Sequence, residues 1–239
     1  MLVALLVTLA ATAWIVLWLW DASPYGRYLH HDPPSGLGSP LELGLFVVGW
    51  MLMIVAMMLP TAVPLLVTFG ALVGRRRRPG LLVALAILGY VVTWTAFGFV
   101  AWIGDRVVHA TVDAVPWLAA NPQLVLAATF MVAGAYQFSP LKYRCLDECR
   151  SPLGFVLNHW QGQAERREAF HLGVAHGLFC VGCCWSLMLV MFAVGLGSLA
   201  WMLALGAVTA IEKNVTWGRR LARPLGIALL LAGLSVVNG

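Results

Sequence analysis

The segment from Phe170 to Val194 reads FHLGVAHGLFCVGCCWSLMLVMFAV and contains no Asp, Glu, Lys or Arg. A helix rises about 1.5 Å per residue, and about 20 apolar residues cross the hydrocarbon core of a bilayer. We therefore predict that this segment is a transmembrane helix.

The composition of the whole chain supports the same environment. Of the 239 residues, 61% are hydrophobic and 10% are charged, and the mean hydropathy is +0.86. A soluble domain carries about 25% charged residues, so this chain has too few to cover a water-exposed surface. The net charge is +5, and most of the Lys and Arg residues lie in loops between apolar segments. This distribution is typical of a protein in a lipid bilayer and argues against nucleic acid as a partner.

The pattern predicts an all-α polytopic transmembrane bundle of about seven helices. Prolines 60 and 64 within the second span predict a kink or a broken helix. The last two spans are short. The predicted spans are Leu2–Trp20, Leu43–Phe69, Leu81–Ile103, Leu124–Phe138, Phe170–Val194, Ser198–Ile211 and Pro224–Val237.

Basic residues set the predicted orientation. Loops 70–80, 139–169 and 212–223 hold four, five and four of the 15 Lys and Arg residues. Cytoplasmic loops are enriched in such residues, so we predict a cytoplasmic N-terminus in a bacterial inner membrane. The organisation is then a first helix (1–20), an extracytoplasmic linker (21–42) and a six-helix membrane domain (43–239) with a cytoplasmic loop at 139–169.

The fifth span carries a set of metal-ligand side chains. His176, Cys180, Cys184 and Met188 follow each other at steps of four, and Cys183 lies beside them, so they share one helix face. Thiolates and thioethers are soft ligands that favour copper(I). Gly173 and Gly177 would let another helix approach closely. The alternative is that Cys and Met are ordinary apolar filling.

A second set lies before the predicted kink and consists of Met53, Met57 and Met58. Counting along antiparallel spans places Met53 at the depth of Cys180 and Met57 near His176, which would make these thioethers secondary ligands. Adaptable packing beside a proline kink is the other interpretation.

The loops add three more candidates. Cys145 and Cys149 are one helical turn apart and form a predicted cytoplasmic collecting or release site for metal, or else plain surface thiols. The sequence leaves open whether they belong to the same site as Cys180. Glu212 is either an interfacial anchor or a group that reaches the site near His176.

Several of these elements together resemble one bacterial family. They are WMLMIVAMMLP at 50–60, AYQFSPLK at 135–142 followed by Cys145 and Cys149, CVGCCWSLM at 180–188, and Glu212-Lys213. The chain resembles the domain-of-unknown-function 2182 family, described as predicted metal-binding integral membrane proteins and sometimes labelled copper chaperones. The resemblance covers residues 43–237 and implies metal binding without identifying the metal.

The function that we predict is the handling or delivery of a soft metal ion. Copper(I) suits the ligands best and zinc is the second choice, with a metal donor or acceptor protein as partner. No nucleotide-binding loop is present, and the prediction leans away from an enzyme. Two alternatives stay open: a membrane thiol-disulfide oxidoreductase coupled to quinone, which would use Cys180 and Cys183, and a structural subunit of a membrane complex.

Overall fold

The computed structural model describes residues 2–23, 40–194 and 199–238, without the side chains of 40–42 and 192–194. These residues form helices and turns and include no strand, which confirms the all-α class. Most of the predicted linker, residues 24–39, lies outside the described residues. The α-helices are α1 (Leu2–Asp21), α2 (Pro40–Met53), α3 (Val63–Val73), α4 (Pro79–Ala114), α5 (Pro116–Ala119), α6 (Gln123–Tyr136), α7 (Pro140–Cys149), α8 (Pro152–His159), α9 (Glu165–Val194), α10 (Leu199–Asn214) and α11 (Ala222–Asn238).

Four helical segments are long and apolar enough to cross a membrane by themselves. They are Leu2–Asp21, Pro79–Ala114, Glu165–Met191 and Gly218–Asn238. Two bent pairs also pass this test when each is counted as one span, Leu43–Met58 with Pro60–Val73 and Gln123–Tyr136 with Pro140–Cys149. The described residues therefore contain four to six candidate spans. The predicted sixth span corresponds to α10, whose 16 described residues are fewer than the about 20 that a bilayer needs.

The predicted break in the second span is confirmed. After α2 the backbone forms a π-helical turn over Ile54–Met58 and a 3-10 turn over Pro60–Ala62, and the axis bends by 41° before α3 continues. Proline cannot donate the hydrogen bond that a regular helix requires, which explains the break at this point. The bend leaves the Met58 carbonyl free to accept a hydrogen bond of 2.8 Å from the Thr61 hydroxyl.

The pair α4 and α9 forms the centre of the bundle. At the crossing, the position of a β-carbon on Gly173 is taken by the Ala86 carbonyl, and that on Gly89 by the Phe170 carbonyl. Only glycine permits backbones to approach so closely. The close approach expected at Gly173 is thus confirmed, and it fixes the inward face of α9 against α4.

A sharp turn brings α7 back onto α9. The chain bends by 66° between α6 and α7, and Ser139 caps α7 by accepting a hydrogen bond from the Leu141 amide. The Tyr136 hydroxyl donates to the Gly182 carbonyl at 2.5 Å, and the Cys145 thiol packs against Gly182. This turn carries the polar helix α7 to the cysteine-bearing part of α9.

Candidate functional site

Soft side chains from three elements meet inside the bundle. Cys180, Cys183 and Cys184 of α9 are each at most 1% exposed. The Cys184 thiol lies 4.0 Å from the Met58 thioether sulfur, which the π-helical turn supplies. The thiol of Cys149, at the end of α7, interacts with the thiol of Cys183. We call these four cysteines and Met58 the sulfur cluster.

The predicted stripe on α9 faces the protein interior. Its four members, His176, Cys180, Cys184 and Met188, are all buried. The Cys183 and Cys184 thiols donate to the Cys180 carbonyl at 3.1 and 3.0 Å. All five cysteines of the chain are free thiols, so the sulfurs are available as ligands or redox groups.

A lysine ammonium lies within reach of the sulfur cluster. Lys213 Nζ is 2.8 Å from Cys180 Sγ and 3.3 Å from the Thr61 hydroxyl oxygen. Lys213 is 5% exposed although α10 holds it near a helix end. A buried ammonium needs a partner of opposite charge or strong acceptors. The Cys180 sulfur is the group in the right place to supply that partner.

Tyr90 of α4 links the sulfur cluster to His176. Its hydroxyl lies 3.0 Å from Cys180 Sγ and donates to the Met58 carbonyl at 3.1 Å. Its ring stacks on the His176 ring, with centroids 5.6 Å apart. His176 Nδ1 is buried and has no hydrogen-bond partner among the described residues. A buried unsatisfied nitrogen of this kind suits a ligand that the structure does not contain.

Glu212 belongs to a separate ion pair beside the cluster. Its carboxylate accepts hydrogen bonds from Lys142 at 2.8 and 3.1 Å. Lys142 also donates to the Gln137 side-chain oxygen at 2.5 Å, and Gln137 in turn donates to Ser186 of α9 at 3.3 Å. Both charged side chains are almost completely buried. The Glu212 carboxylate therefore pairs with Lys142 and does not contact the sulfur cluster.

The predicted ligands are distributed as follows. Met58 is the methionine beside the cysteines, whereas Met57 packs against Gly206 of α10 and Met53 is buried in the core. Cys149 reaches Cys183, so the Cys145–Cys149 pair adjoins the α9 cysteines instead of standing alone. Sequence reasoning missed Tyr90, Lys142 and the position of Lys213. A tyrosine inside an apolar span and ionisable groups at span ends were the available signals.

The donors meet without forming a closed metal site. Within residues 2–23, 40–194 and 199–238, no three His, Cys, Asp or Glu side chains are arranged to hold a metal ion together. The Lys213 ammonium instead lies against the central sulfur. The thiols and the thioether of the sulfur cluster suit a soft metal cation. In this structure, the positive charge beside them is the Lys213 ammonium.

Comparison with known proteins identifies the family. The model of the PpoB2 family, described as copper chaperone, matches residues 47–236. The chain belongs to the PpoB2 copper chaperone family. The match spans the broken helix, the sulfur cluster and Glu212-Lys213, so all parts of the site lie within the PpoB2 region. The copper chaperone label that the resemblance implied is confirmed. No curated protein and no solved structure matches the chain.

Proposed function

We propose that this protein is an integral inner-membrane protein that binds copper(I) as cargo inside its helix bundle. The family description supports copper handling. The observation that carries the proposal is the sulfur cluster, in which three buried thiols of α9 lie with the Met58 thioether and the Cys149 thiol, and the Lys213 ammonium contacts the Cys180 sulfur. Thiolate and thioether ligands favour copper(I) over harder ions.

Cys180, Cys183 and Cys184 are the proposed primary ligands. Met58 lies close enough to add its thioether, and His176 offers a nitrogen with no other partner among the described residues. Cys149 reaches the cluster from the end of α7, beside Cys145, and these two thiols form the proposed transfer route. Met53 and Met57 stay proposed secondary thioether ligands.

The Lys213 ammonium can balance the charge of a copper(I) site on the α9 cysteines. When two of these three cysteines bind copper(I) as thiolates and the third stays a protonated thiol, the site carries one net negative charge, which the Lys213 ammonium cancels. A neutral assembly is the least costly one in a dry interior, where an unpaired charge is strongly disfavoured. A divalent ion on the same two thiolates would leave the ammonium uncompensated. Lys213 therefore favours a monovalent cargo, and its ammonium must move away from Cys180 when metal binds there.

Seven spans with the N-terminus in the cytoplasm complete the proposal, and α10 is then a short sixth span. This orientation puts the end of α7 and the arginines before α11 on the cytoplasmic side. An odd number of spans places the C-terminus outside. A reporter active only in the periplasm, fused after residue 239, should be active, whereas four or six spans would leave it silent.

Elemental analysis of purified full-length protein tests the copper proposal. Protein loaded under reducing conditions should retain copper(I), and the triple variant Cys180→Ser, Cys183→Ser, Cys184→Ser should lose it while its thermal unfolding in detergent stays cooperative. Equal retention by the triple variant would contradict the proposal. A metal-free protein with a quinone-responsive disulfide between Cys180 and Cys183 would favour the oxidoreductase.

A further inference from the structure

A group of basic side chains lies outside the sulfur cluster and includes none of the proposed copper ligands. Four arginines, with Tyr143 and Thr216, line a surface cavity of about 630 Å³. This volume is in the range of about 300–1,000 Å³ typical of ligand sites. No acidic residue is among the six that line it. The arginines are Arg150, Arg219, Arg220 and Arg223.

Two of these arginines are held in place by the protein. Arg150 donates to the carbonyls of Glu212, Val215 and Thr216 at the end of α10. Arg219 pairs with Asp147 at 3.1 Å, and its guanidinium lies over the Tyr143 ring. The wall of the cavity is thus ordered by contacts with α7 and α10.

The other two arginines offer charge to a ligand. Arg220 and Arg223 are exposed, and within the described part of the chain neither side chain forms an ion pair or a hydrogen bond. Asp147 balances only Arg219. The cavity therefore presents uncompensated guanidinium groups, which bind phosphate oxygens well because of their planar, forked geometry.

The apolar surface next to the cavity identifies the source of the phosphate. Arg223 begins a face of α11 that continues with Ile227, Leu231 and Leu234, at steps of four, four and three, and these three side chains are 53%, 61% and 49% exposed. Such spacing keeps them in one row along the helix. A charged cavity at the start of a membrane-spanning segment, followed by an exposed apolar row, matches a lipid headgroup followed by its acyl chain.

We propose that this cavity, together with the α11 row, binds an anionic phospholipid through its headgroup phosphate. The inference rests on the membrane placement proposed above and is independent of copper. Arg150 joins the site to the end of α10, the helix that carries Glu212 and Lys213. A bound lipid would therefore fix the end of the helix that reaches the sulfur cluster.

Native mass spectrometry of the full chain in detergent tests the inference. We expect retention of added phosphatidylglycerol and little retention of phosphatidylcholine with the same acyl chains. The double variant Arg220→Gln, Arg223→Gln should weaken phosphatidylglycerol binding about tenfold or more, since each basic residue near the lipid contributes appreciably. The charge-keeping variant Arg220→Lys, Arg223→Lys should bind phosphatidylglycerol more tightly than the Gln variant but less tightly than the native protein, because it keeps the charge and loses the forked geometry. Cooperative thermal unfolding of both variants in detergent would show that they are folded.

Another basic cavity among the described residues provides a matched control. It is smaller, about 150 Å³, and Glu165 lines it together with Arg77, Arg78 and Arg166. Arg77→Gln with Arg78→Gln should leave lipid retention unchanged. Equal retention of the two lipids, or unchanged binding in the Arg220 and Arg223 double variant, would overturn the inference. Displacement of the lipid by inorganic phosphate alone would show a site for free anions instead. Each of these outcomes can be read whether or not the protein binds copper.

Discussion

The two buried lysines of this protein differ in the groups that face them. Lys142 meets the Glu212 carboxylate, and Gln137 and Ser186 complete a polar network around them. Lys213 meets the Cys180 sulfur, with a single weaker contact to Thr61. A carboxylate keeps its charge and pairs with the ammonium at all times, whereas the Cys180 sulfur is a proposed metal ligand and would have to share its charge between the metal and the ammonium. We therefore expect Lys142 to stabilise the fold and Lys213 to compensate the charge of the proposed copper site.

Removing Lys142 should have the largest effect, and it should act on stability. Lys142→Met leaves the Glu212 carboxylate buried without its partner, which costs about 3–5 kcal/mol. The expected results are a lower unfolding temperature in detergent and poor expression. The double variant Lys142→Met, Glu212→Gln should recover most of the loss, because no unpaired charge remains. A stable Lys142→Met protein would remove the distinction between the two lysines.

Removing the charge of Lys213 should change metal preference more than stability. Two charges about 4 Å apart interact by about 4 kcal/mol at an effective dielectric constant of 20, and a divalent ion feels twice the repulsion of a monovalent one. Lys213→Met should therefore raise the affinity for cobalt(II), read from its thiolate absorption bands, about tenfold or more relative to silver(I), a copper(I) substitute. Lys213→Arg keeps the charge and should keep the native ratio. Equal ratios in all three proteins would exclude selection by charge.

Replacing Met58 should weaken copper(I) binding without affecting the fold. Met58→Leu conserves volume, so the cost to folding should stay below about 1.5 kcal/mol. The lost thioether should reduce copper(I) affinity several-fold in competition with a chromophoric chelator. Met131→Leu is the control, because Met131 lies on α6 and packs against Gly233. The same loss in both variants would show that the effect is general and that Met58 is not a ligand.

Tyr90→Phe should have the smallest effect. It removes a hydroxyl that contacts Cys180 and the Met58 carbonyl but keeps the ring on His176. A hydrogen bond of this kind contributes about 0.5–1.5 kcal/mol. We expect a slightly lower unfolding temperature and a change in copper(I) affinity smaller than that of Met58→Leu. A loss of copper(I) affinity larger than that of Met58→Leu would contradict this ranking.

Local spacing was enough to predict part of this arrangement. The steps of four from His176 to Met188 fix one helix face, and all four side chains are buried. The prolines at 60 and 64 predict the break that frees the Met58 carbonyl. Each of these predictions depends on residues within a few turns of one helix, where geometry follows directly from the sequence.

The remaining contacts depend on how distant helices pack. Lys213 lies 33 residues from Cys180 in sequence, and Glu212 lies 70 residues from Lys142. Nothing in the local pattern of α10 tells which of two neighbouring helices each side chain will reach. The π-helical turn also places Met58 beside Cys184, although regular helical counting favoured Met53 and Met57. An irregular turn changes the direction of every side chain that follows it.

The adjacency of Glu212 and Lys213 has a mechanical consequence. Consecutive residues on a helix point about 100° apart, so α10 extends one side chain towards α7 and the next towards α9. A rotation of α10 that moved Lys213 away from Cys180 would also move Glu212 relative to Lys142. If the proposed metal binding displaced Lys213 in this way, it would strain the buried ion pair, and release of the metal would relieve that strain.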